Sequence, residues 1–386
     1  MRLSILYGAC FAGIGVYMPF FPVWLESRGL DAPAIGLILS LPILTRVAVT
    51  APLVGLVDRG FSARTFLIAC SFCLVLAYCA LLFAHGASAI VALVLVMAVA
   101  QAPVVPLCDL VALEAVRQDR RLDYGRMRLW GSITFLAFSV TGGYAVGAAT
   151  PDAAIWLLAG LALATLAVTP LAVPRPSERV SGLDDTPSPR AQERLPLGLW
   201  LVIAAAAFVQ ASHAGVYAFG SLHWREQGFS EAVIGYLWAA GIVAEIVLFA
   251  AAGRIVGRES AGLSFLVMGA AASVLRFCLM AFEPGLTVTF GLQVLHGLSF
   301  GATHLGAMAA LSRLAPAGSR GRAQGILSTG VALGMATATI ASGVIFRTSG
   351  AWVFAAMAPL AALGLVAALV AVRVLSAQPQ RVGEGG

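Results

Sequence analysis

The chain has 386 residues, of which 60% are hydrophobic and only 11% are charged. Soluble domains carry about 25% charged residues, so this composition excludes an ordinary soluble globule. All 24 basic residues are Arg, and the absence of Lys from the sequence excludes both a Walker A phosphate loop and a Schiff-base enzyme.

Twelve apolar runs follow one another along the chain, each close to the roughly 20 residues that cross a bilayer as a helix. The first run begins beside Met1 and has no small-residue cleavage site, so we expect it to be retained as a span. Six runs fall within residues 1–173 and six within residues 197–375. Residues 174–196, rich in Pro, Ser, Asp and Arg, are predicted to be a cytoplasmic linker, and residues 376–386 a disordered tail.

The distribution of basic residues predicts the topology. Nineteen of the 24 Arg residues fall on one side of the predicted spans, whereas Arg28, Arg225 and Arg347 fall on the other. Basic loops remain in the cytoplasm, so both termini are expected there, in a multi-pass protein of the bacterial inner membrane. Topology thus accounts for the net charge of +6, and no nucleic-acid partner is predicted.

The two halves of the chain resemble each other in sequence. The run Gly15–Tyr17 matches Gly215–Tyr217, and Arg46 falls on Glu245 after a one-residue gap. A repeat of half the chain length is typical of two homologous bundles. We therefore predict an all-α membrane protein, with twelve transmembrane helices in two pseudo-symmetric six-helix bundles.

Polar and aromatic side chains form stripes on the first, fourth, seventh and tenth predicted helices. Stripes of this kind inside a membrane are typical of side chains that line a shared cavity. We predict that this cavity binds a small-molecule substrate. The candidate substrate-binding residues are Tyr17, Trp24, Gln101, His213, Tyr217, Trp238, Arg276, Gln293, His296 and Phe300.

Glu245 is a carboxylate halfway along a predicted span, where an ionised side chain costs about 2.5–3.5 kcal/mol on insertion scales. It is interpreted either as a proton carrier or as one member of a permanent salt bridge with Arg276. Arg276 in turn either holds Glu245 ionised or binds a substrate carboxylate through its planar fork. His304 and Asp109 are the other candidates for proton coupling.

Six further charged residues are candidates for gates or ion pairs. Arg46 and Asp109 lie about 5 Å apart in depth at 1.5 Å per helical residue, so we expect them to pair, either as a structural pair or as a gate. Glu114 lies at the membrane boundary and is expected to pair with Arg126 or Arg128. The full set is Arg46, Asp58, Arg59, Glu114, Arg126 and Arg128.

Two motifs that suggest other chemistry do not have the surroundings it needs. Cys70 and Cys73 have C-x-x-C spacing, but no second pair or nearby His completes a metal site. The run Gly297–Gly301 matches the nucleophile elbow of hydrolases, yet it falls in the middle of a predicted helix rather than after a strand. No metal, no cofactor and no enzyme activity are predicted.

The loop after the second predicted helix, with Asp58-Arg59 and Arg64, resembles the corresponding loop of the major facilitator superfamily. The segments Asp123–Ser132 and Gly235–Phe249 resemble the phenylpropionate permease group of that superfamily, a relative of nucleoside and oligosaccharide proton symporters. This resemblance implies proton-coupled uptake of a small molecule, with aromatic acids among the candidates, by alternating access in a monomer within the lipid bilayer.

Glu245, Arg276 and His304 also resemble the arrangement in lactose permease, which has a further Glu where this chain has Ala307. That resemblance implies proton carriage by Glu245 or His304. Two alternatives remain open, a proton-driven exporter of drugs or metabolites and a membrane receptor that transports nothing.

Overall fold

The computed structural model describes residues 1–173, 194–252, 261–316 and 318–377, so the predicted linker and tail lie almost wholly outside the described residues. Every regular element within these ranges is a helix. In chain order they are α1 (Arg2–Ser27), α2 (Ala32–Asp58), α3 (Ala63–Leu82), α4 (Ala87–Gln101), α5 (Val104–Gln118), α6 (Tyr124–Ala148), α7 (Asp152–Ala172), α8 (Leu197–Ala211), α9 (Ala214–Glu226), α10 (Glu231–Ala252), α11 (Ala261–Met280), α12 (Leu286–His296), α13 (Thr303–Leu314), α14 (Arg320–Ser349) and α15 (Trp352–Ser376), and a π-helical turn (Gly297–Ala302) joins α12 to α13.

Twelve segments of the described chain are long and apolar enough to cross a membrane, which confirms the predicted fold class. Three of these spans are interrupted. The fourth span consists of α4 and α5, the seventh of α8 and α9, and the tenth of α12 and α13 on either side of the π-helical turn. Pro103 stands at the first break, where it supplies no N–H for a continuous helix.

Within the first half, α1 packs against both α6 and α7, and within the second half α8 packs against α14 and α15. Close packing of α1 on α6 depends on Gly15. A Cβ at Gly15 would come within 3.0 Å of the backbone of Phe135. Small residues of this kind let helix backbones approach each other in lipid, where apolar burial provides little driving force.

The two halves meet along two seams, α2 against α14 and α6 against α10. Glycines permit the approach in both seams. A Cβ at Gly36 or Gly343 in the first seam, or at Gly143 or Gly235 in the second, would come closer than 3.0 Å to a backbone oxygen of the facing helix. All four glycines lie toward the end of the molecule that carries the α1–α2 loop, which we call the closed end.

Ion pairs also join the halves at the closed end. Arg225 Nη1 lies 2.7 Å from Glu26 Oε2 of the other half, and its Nε lies 3.1 Å from Glu231 Oε1. In the first seam, Arg347 Nη1 lies 3.6 Å from Asp31 Oδ2. The Arg225–Glu26 and Arg347–Asp31 pairs cross between the halves at the same end as the glycine contacts, whereas Glu231 belongs to the same half as Arg225 and anchors its guanidinium.

Candidate functional site

A cavity of about 810 Å³ lies between the two halves. Its lining along α14 runs from Thr339 to Gln324, so it extends from the middle of the molecule toward the end opposite the closed end. Most of the lining is apolar. The polar side chains in the lining are Tyr17, Arg46, Tyr78, Gln101, Thr165, Gln210, Tyr217, His304, Gln324, Ser328 and Thr339.

The charge of the cavity wall is one-sided. Arg46 is the permanently charged side chain in the lining, and His304 can also become a cation. Among the residues that the structure describes, no carboxylate lines the cavity. The cavity is therefore suited to a neutral or anionic molecule rather than to a cation.

The predicted pair between Arg46 and Asp109 is not formed in this conformation. Asp109 Oδ1 instead accepts hydrogen bonds from Tyr7 Oη at 2.5 Å and Tyr124 Oη at 3.0 Å, both within the first half. Arg46 projects into the cavity. The prediction paired Arg46 with Asp109 because the two residues lie at similar depths. It failed because two tyrosines, one of them 102 positions away in the chain, form the hydrogen bonds of the Asp109 carboxylate instead.

Arg276 does not reach the cavity and does not pair with Glu245, contrary to both interpretations of its role. Its side chain is 1% exposed, and Nε donates to Leu292 O at 2.8 Å. Nη2 donates to Gln293 Oε1 at 3.0 Å, and Nη1 lies 3.4 Å from His296 Nδ1. The guanidinium is thus held by groups of its own half, and Gln293 is buried with it rather than facing a substrate.

These contacts predict that Arg276→Gln lowers the stability of the fold and does not change recognition of the substrate's charge. The shorter side chain leaves Leu292 O and Gln293 Oε1 without a charged donor, which we expect to destabilise the fold by roughly 2 kcal/mol. Thermal unfolding in detergent measures this loss. The affinities for an acid and for its neutral amide should fall by similar factors, and a loss confined to the acid would contradict a structural role.

Glu245 lies next to His296 rather than next to an arginine. Glu245 Oε2 is 4.0 Å from His296 Nε2, and its side chain is 19% exposed. The opposite nitrogen of the same imidazole faces Arg276. His296 therefore stands between a carboxylate and a buried guanidinium, within ion-pair distance of Glu245 but beyond a direct hydrogen bond.

An aromatic stack connects this buried group to the cavity. The ring of Phe300 stacks on His296 at 5.2 Å between centroids and on His304 at 6.3 Å. Phe300 and His304 line the cavity, whereas His296 does not. The stack runs along the π-helical turn, in which a Cβ at Gly301 would lie 3.0 Å from Leu248 Cδ2 and in ordinary van der Waals contact with Glu245 Cγ at 3.5 Å.

Three predicted substrate-binding residues instead bind neighbours inside their own half. Trp24 Nε1 donates to Asp152 Oδ1 at 2.8 Å, and Trp238 Nε1 donates to Ser221 Oγ at 2.9 Å. His213 is fully buried, and its Nε2 lies 3.1 Å from Ser299 Oγ. None of these three side chains lines the cavity. Tyr17, Gln101, Tyr217 and Phe300 do line it.

The remaining gate candidates lie near the end opposite the closed end. Glu114 contacts Arg117 at 3.9 Å and accepts a hydrogen bond from Gln118 at 2.9 Å, instead of pairing with Arg126 or Arg128. The guanidinium of Arg128 lies over the ring of Phe11 at 4.0 Å. Asp58, Arg59 and Arg126 are exposed. Their roles in gating remain predictions.

Six polar residues of the lining were given no role in the site from the sequence, namely Tyr78, Thr165, Gln210, Gln324, Ser328 and Thr339. Tyr78 and Thr165 lie in strongly apolar helices, and only the tertiary packing places them at the cavity. Gln210 lies one residue before the end of α8, at the break between α8 and α9. A polar residue in this apolar run was the sequence feature that could have indicated a substrate ligand. Tyr17 Oη and Gln210 Oε1 are buried without a hydrogen-bond partner.

Twelve membrane-crossing helices in two halves, with a cavity between them that extends toward one end, form the architecture of transporters that work by alternating access. The chain belongs to the MFS_1 like family, whose model matches residues 1–356. It is therefore a multi-pass membrane protein and a secondary transporter of the major facilitator type, with a small-molecule substrate.

Two curated relatives are transporters by name. The chain is 31% identical over 382 residues to a probable 3-phenylpropionic acid transporter of Escherichia coli (strain K12), covering 92% of this chain and 93% of the relative. It is 28% identical over 334 residues to a maltose permease of Geobacillus stearothermophilus, covering 85% of this chain and 81% of the relative.

Solved structures share the fold at low sequence identity. A crystal structure of the nucleoside transporter NupG (D323A mutant) superposes with a TM-score of 0.80 at 17% identity, covering 96% of this chain and 98% of the other. A bacterial homolog of the human lysosomal transporter Spinster, in an inward-facing and occupied conformation, gives 0.73 at 14% identity, with 96% of each chain covered.

Proposed function

We propose that the chain is a proton-coupled symporter that takes up a small aromatic acid by alternating access. The observation that carries this proposal is the charge of the cavity, which presents Arg46 and no carboxylate among its described lining residues. An anion is the ligand that such a wall favours, and the aromatic rings beside it favour a ring-bearing anion. The name of the Escherichia coli relative supports the same substrate class.

Glu245 is the proposed proton carrier. It lies in a membrane-spanning helix without an arginine within salt-bridge distance in the described part of the chain. Its ionisable neighbours are His296, at 4.0 Å, and, beyond salt-bridge distance, Arg128 of the first half. Glu245 is 19% exposed and does not line the cavity in this conformation; because an ionised carboxylate is expensive away from water, its protonation lowers the free energy of any state that buries it further. Movement between the two facing states is then coupled to the proton.

Topology gives the proposed direction. The excess of Arg at the end opposite the closed end supports a cytoplasmic position for that end and for both termini, in a bacterial inner membrane. The cavity then faces the cytoplasm, which is the state from which a symporter releases its substrate. Residues 1–173 and 197–375 are proposed to rock as two bodies within a monomer, connected by the linker 174–196.

Transport by purified protein in sealed vesicles tests this proposal. Vesicles carry a pH-sensitive dye inside and an inward proton gradient, and receive 3-phenylpropionate, maltose or a nucleoside outside. We expect the labelled acid to accumulate and the interior to acidify faster than the passive leak in protein-free vesicles. Substrate-dependent alkalinisation would instead identify a proton-driven exporter. Accumulation of the sugar or nucleoside alone would contradict the proposal that the substrate is an aromatic acid.

A further inference from the structure

We infer that Arg46 binds the carboxylate of the substrate and that the substrate's ring lies between Tyr17 and Tyr217, nearer the closed end. This inference rests on the proposed function, since it concerns the way in which an aromatic acid occupies the cavity. It assigns substrate recognition to α2 in place of Arg276, to which the sequence had assigned it.

Arg46 is available for a ligand, whereas Arg276 is not. In the described part of the chain no carboxylate lies within salt-bridge distance of Arg46, and its expected partner Asp109 is bound by Tyr7 and Tyr124. Arg276 is sealed inside the second half with its donors occupied. A guanidinium that projects into a cavity without a counter-charge is a site for an anion, which it can bind through two parallel hydrogen bonds.

Two buried polar atoms support a ligand in the same cavity. Tyr17 Oη and Gln210 Oε1 have no hydrogen-bond partner in the structure, and both residues line the cavity. Buried polar groups in proteins nearly always have a partner, so an unpaired one beside a cavity indicates a group that the ligand or water satisfies. Tyr17 contributes a hydroxyl from the first half, and Gln210 contributes an amide from the second.

The depths of these residues set the orientation of the substrate. At 1.5 Å per helical residue, Tyr17 and Tyr217 lie about 15 Å and 14 Å from the ends of α1 and α9 at the closed end. Arg46 lies about 21 Å from the start of α2 at the same end. The charge is thus about 6 Å deeper than the two rings, an offset comparable with the separation of carboxylate and ring in an arylpropionate.

The aromatic residues come from both halves, so the ring of the substrate contacts both. Tyr17 stacks on Phe21 at 4.5 Å in the first half, and Tyr217 packs against Trp238 at 6.0 Å in the second. Phe21 and Trp238 do not line the cavity, so they support the two tyrosine rings from the side away from it. A substrate ring placed between them bridges the halves at the depth where they converge toward the closed end.

Binding of matched ligands tests this inference. Affinities for 3-phenylpropionate and for the neutral 3-phenylpropionamide are measured by competition against a labelled substrate, using unaltered protein, Arg46→Gln, Arg46→Lys and Tyr17→Phe. We expect Arg46→Gln to weaken binding of the acid at least about tenfold and binding of the amide less than twofold. Arg46→Lys should lose less affinity for the acid, because lysine retains the positive charge but not the planar guanidinium. Tyr17→Phe should weaken binding of the acid by a few-fold.

Arg121→Gln, in the exposed loop between α5 and α6, is the matched control and should bind both ligands normally. Equal losses of acid and amide in Arg46→Gln would overturn the inference, as would an acid-specific loss in Arg276→Gln alone. If the glutamine variant does not fold, Arg46→Lys and Tyr17→Phe decide the question by the same comparison of the two ligands. Normal acid transport with unchanged selectivity in these variants overturns the Arg46 site but leaves the proposed function standing. Failure of the unaltered protein to bind any aromatic acid overturns both.

Discussion

Replacing Glu245 with Gln is expected to abolish proton-driven accumulation of substrate while exchange of substrate across the membrane continues. The amide has nearly the shape of the protonated carboxyl group, so the cavity can still close, but it cannot release a proton. We expect accumulation to fall at least about tenfold, to the level set by simple equilibration. The measurement is uptake of labelled acid into vesicles with and without a proton gradient.

Exchange is measured in the same vesicles after they are loaded with unlabelled acid. Glu283→Gln is the matched control, because Glu283 is an exposed carboxylate in the loop between α11 and α12. Accumulation by the Glu245 variant at the wild-type level would remove Glu245 from the coupling mechanism. Equal loss of exchange and accumulation would instead mean that the carboxylate is needed for closure or folding.

Gly143→Ala is expected to reduce transport at least about tenfold by keeping the second seam from closing. The new methyl group would overlap the backbone oxygen of Glu231 on α10, and neither backbone can move without displacing its helix. Transport needs both the closed and the open arrangement of this end, so a seam that cannot close stops the cycle.

Two measurements check this expectation. Uptake of the labelled acid gives the loss of transport, and the distance between spin labels at Ser88 and Glu283, one in each half at the closed end, gives the opening. We expect that distance to increase in Gly143→Ala. Gly291→Ala is the control, since a Cβ at Gly291 meets nothing within 4 Å. An unchanged distance together with normal uptake would show that the seam tolerates the methyl group.

The architecture of this protein could be predicted from composition and hydropathy, because a lipid-exposed helix must be apolar over a length set by the bilayer. The repeat of Gly15–Tyr17 in Gly215–Tyr217 likewise predicted two related halves. Both signals are carried by neighbouring residues. They need no knowledge of which helix faces which, and the structure confirms the twelve spans that they predict.

The candidate site was harder to predict because the side chains of a polar stripe can face either the cavity or a neighbouring helix. Trp24 and Tyr17 share one stripe of α1, yet the indole of Trp24 turns to Asp152 while Tyr17 lines the cavity. The partner of Trp24 lies 128 positions away in the chain, and its effect is invisible in local spacing. Arg276 was misassigned for the same reason, since its partners come from α12.

The arginine–carboxylate contacts between Arg225 and Glu26 and between Arg347 and Asp31 have a consequence for the medium in which the protein works. Both contacts are partly exposed to solvent, so dissolved ions screen them within a Debye length of about 8 Å at physiological ionic strength. Concentrated electrolyte on that side of the membrane therefore weakens the attraction between the halves at the closed end, whereas the buried glycine contacts beneath these ion pairs do not depend on dissolved ions.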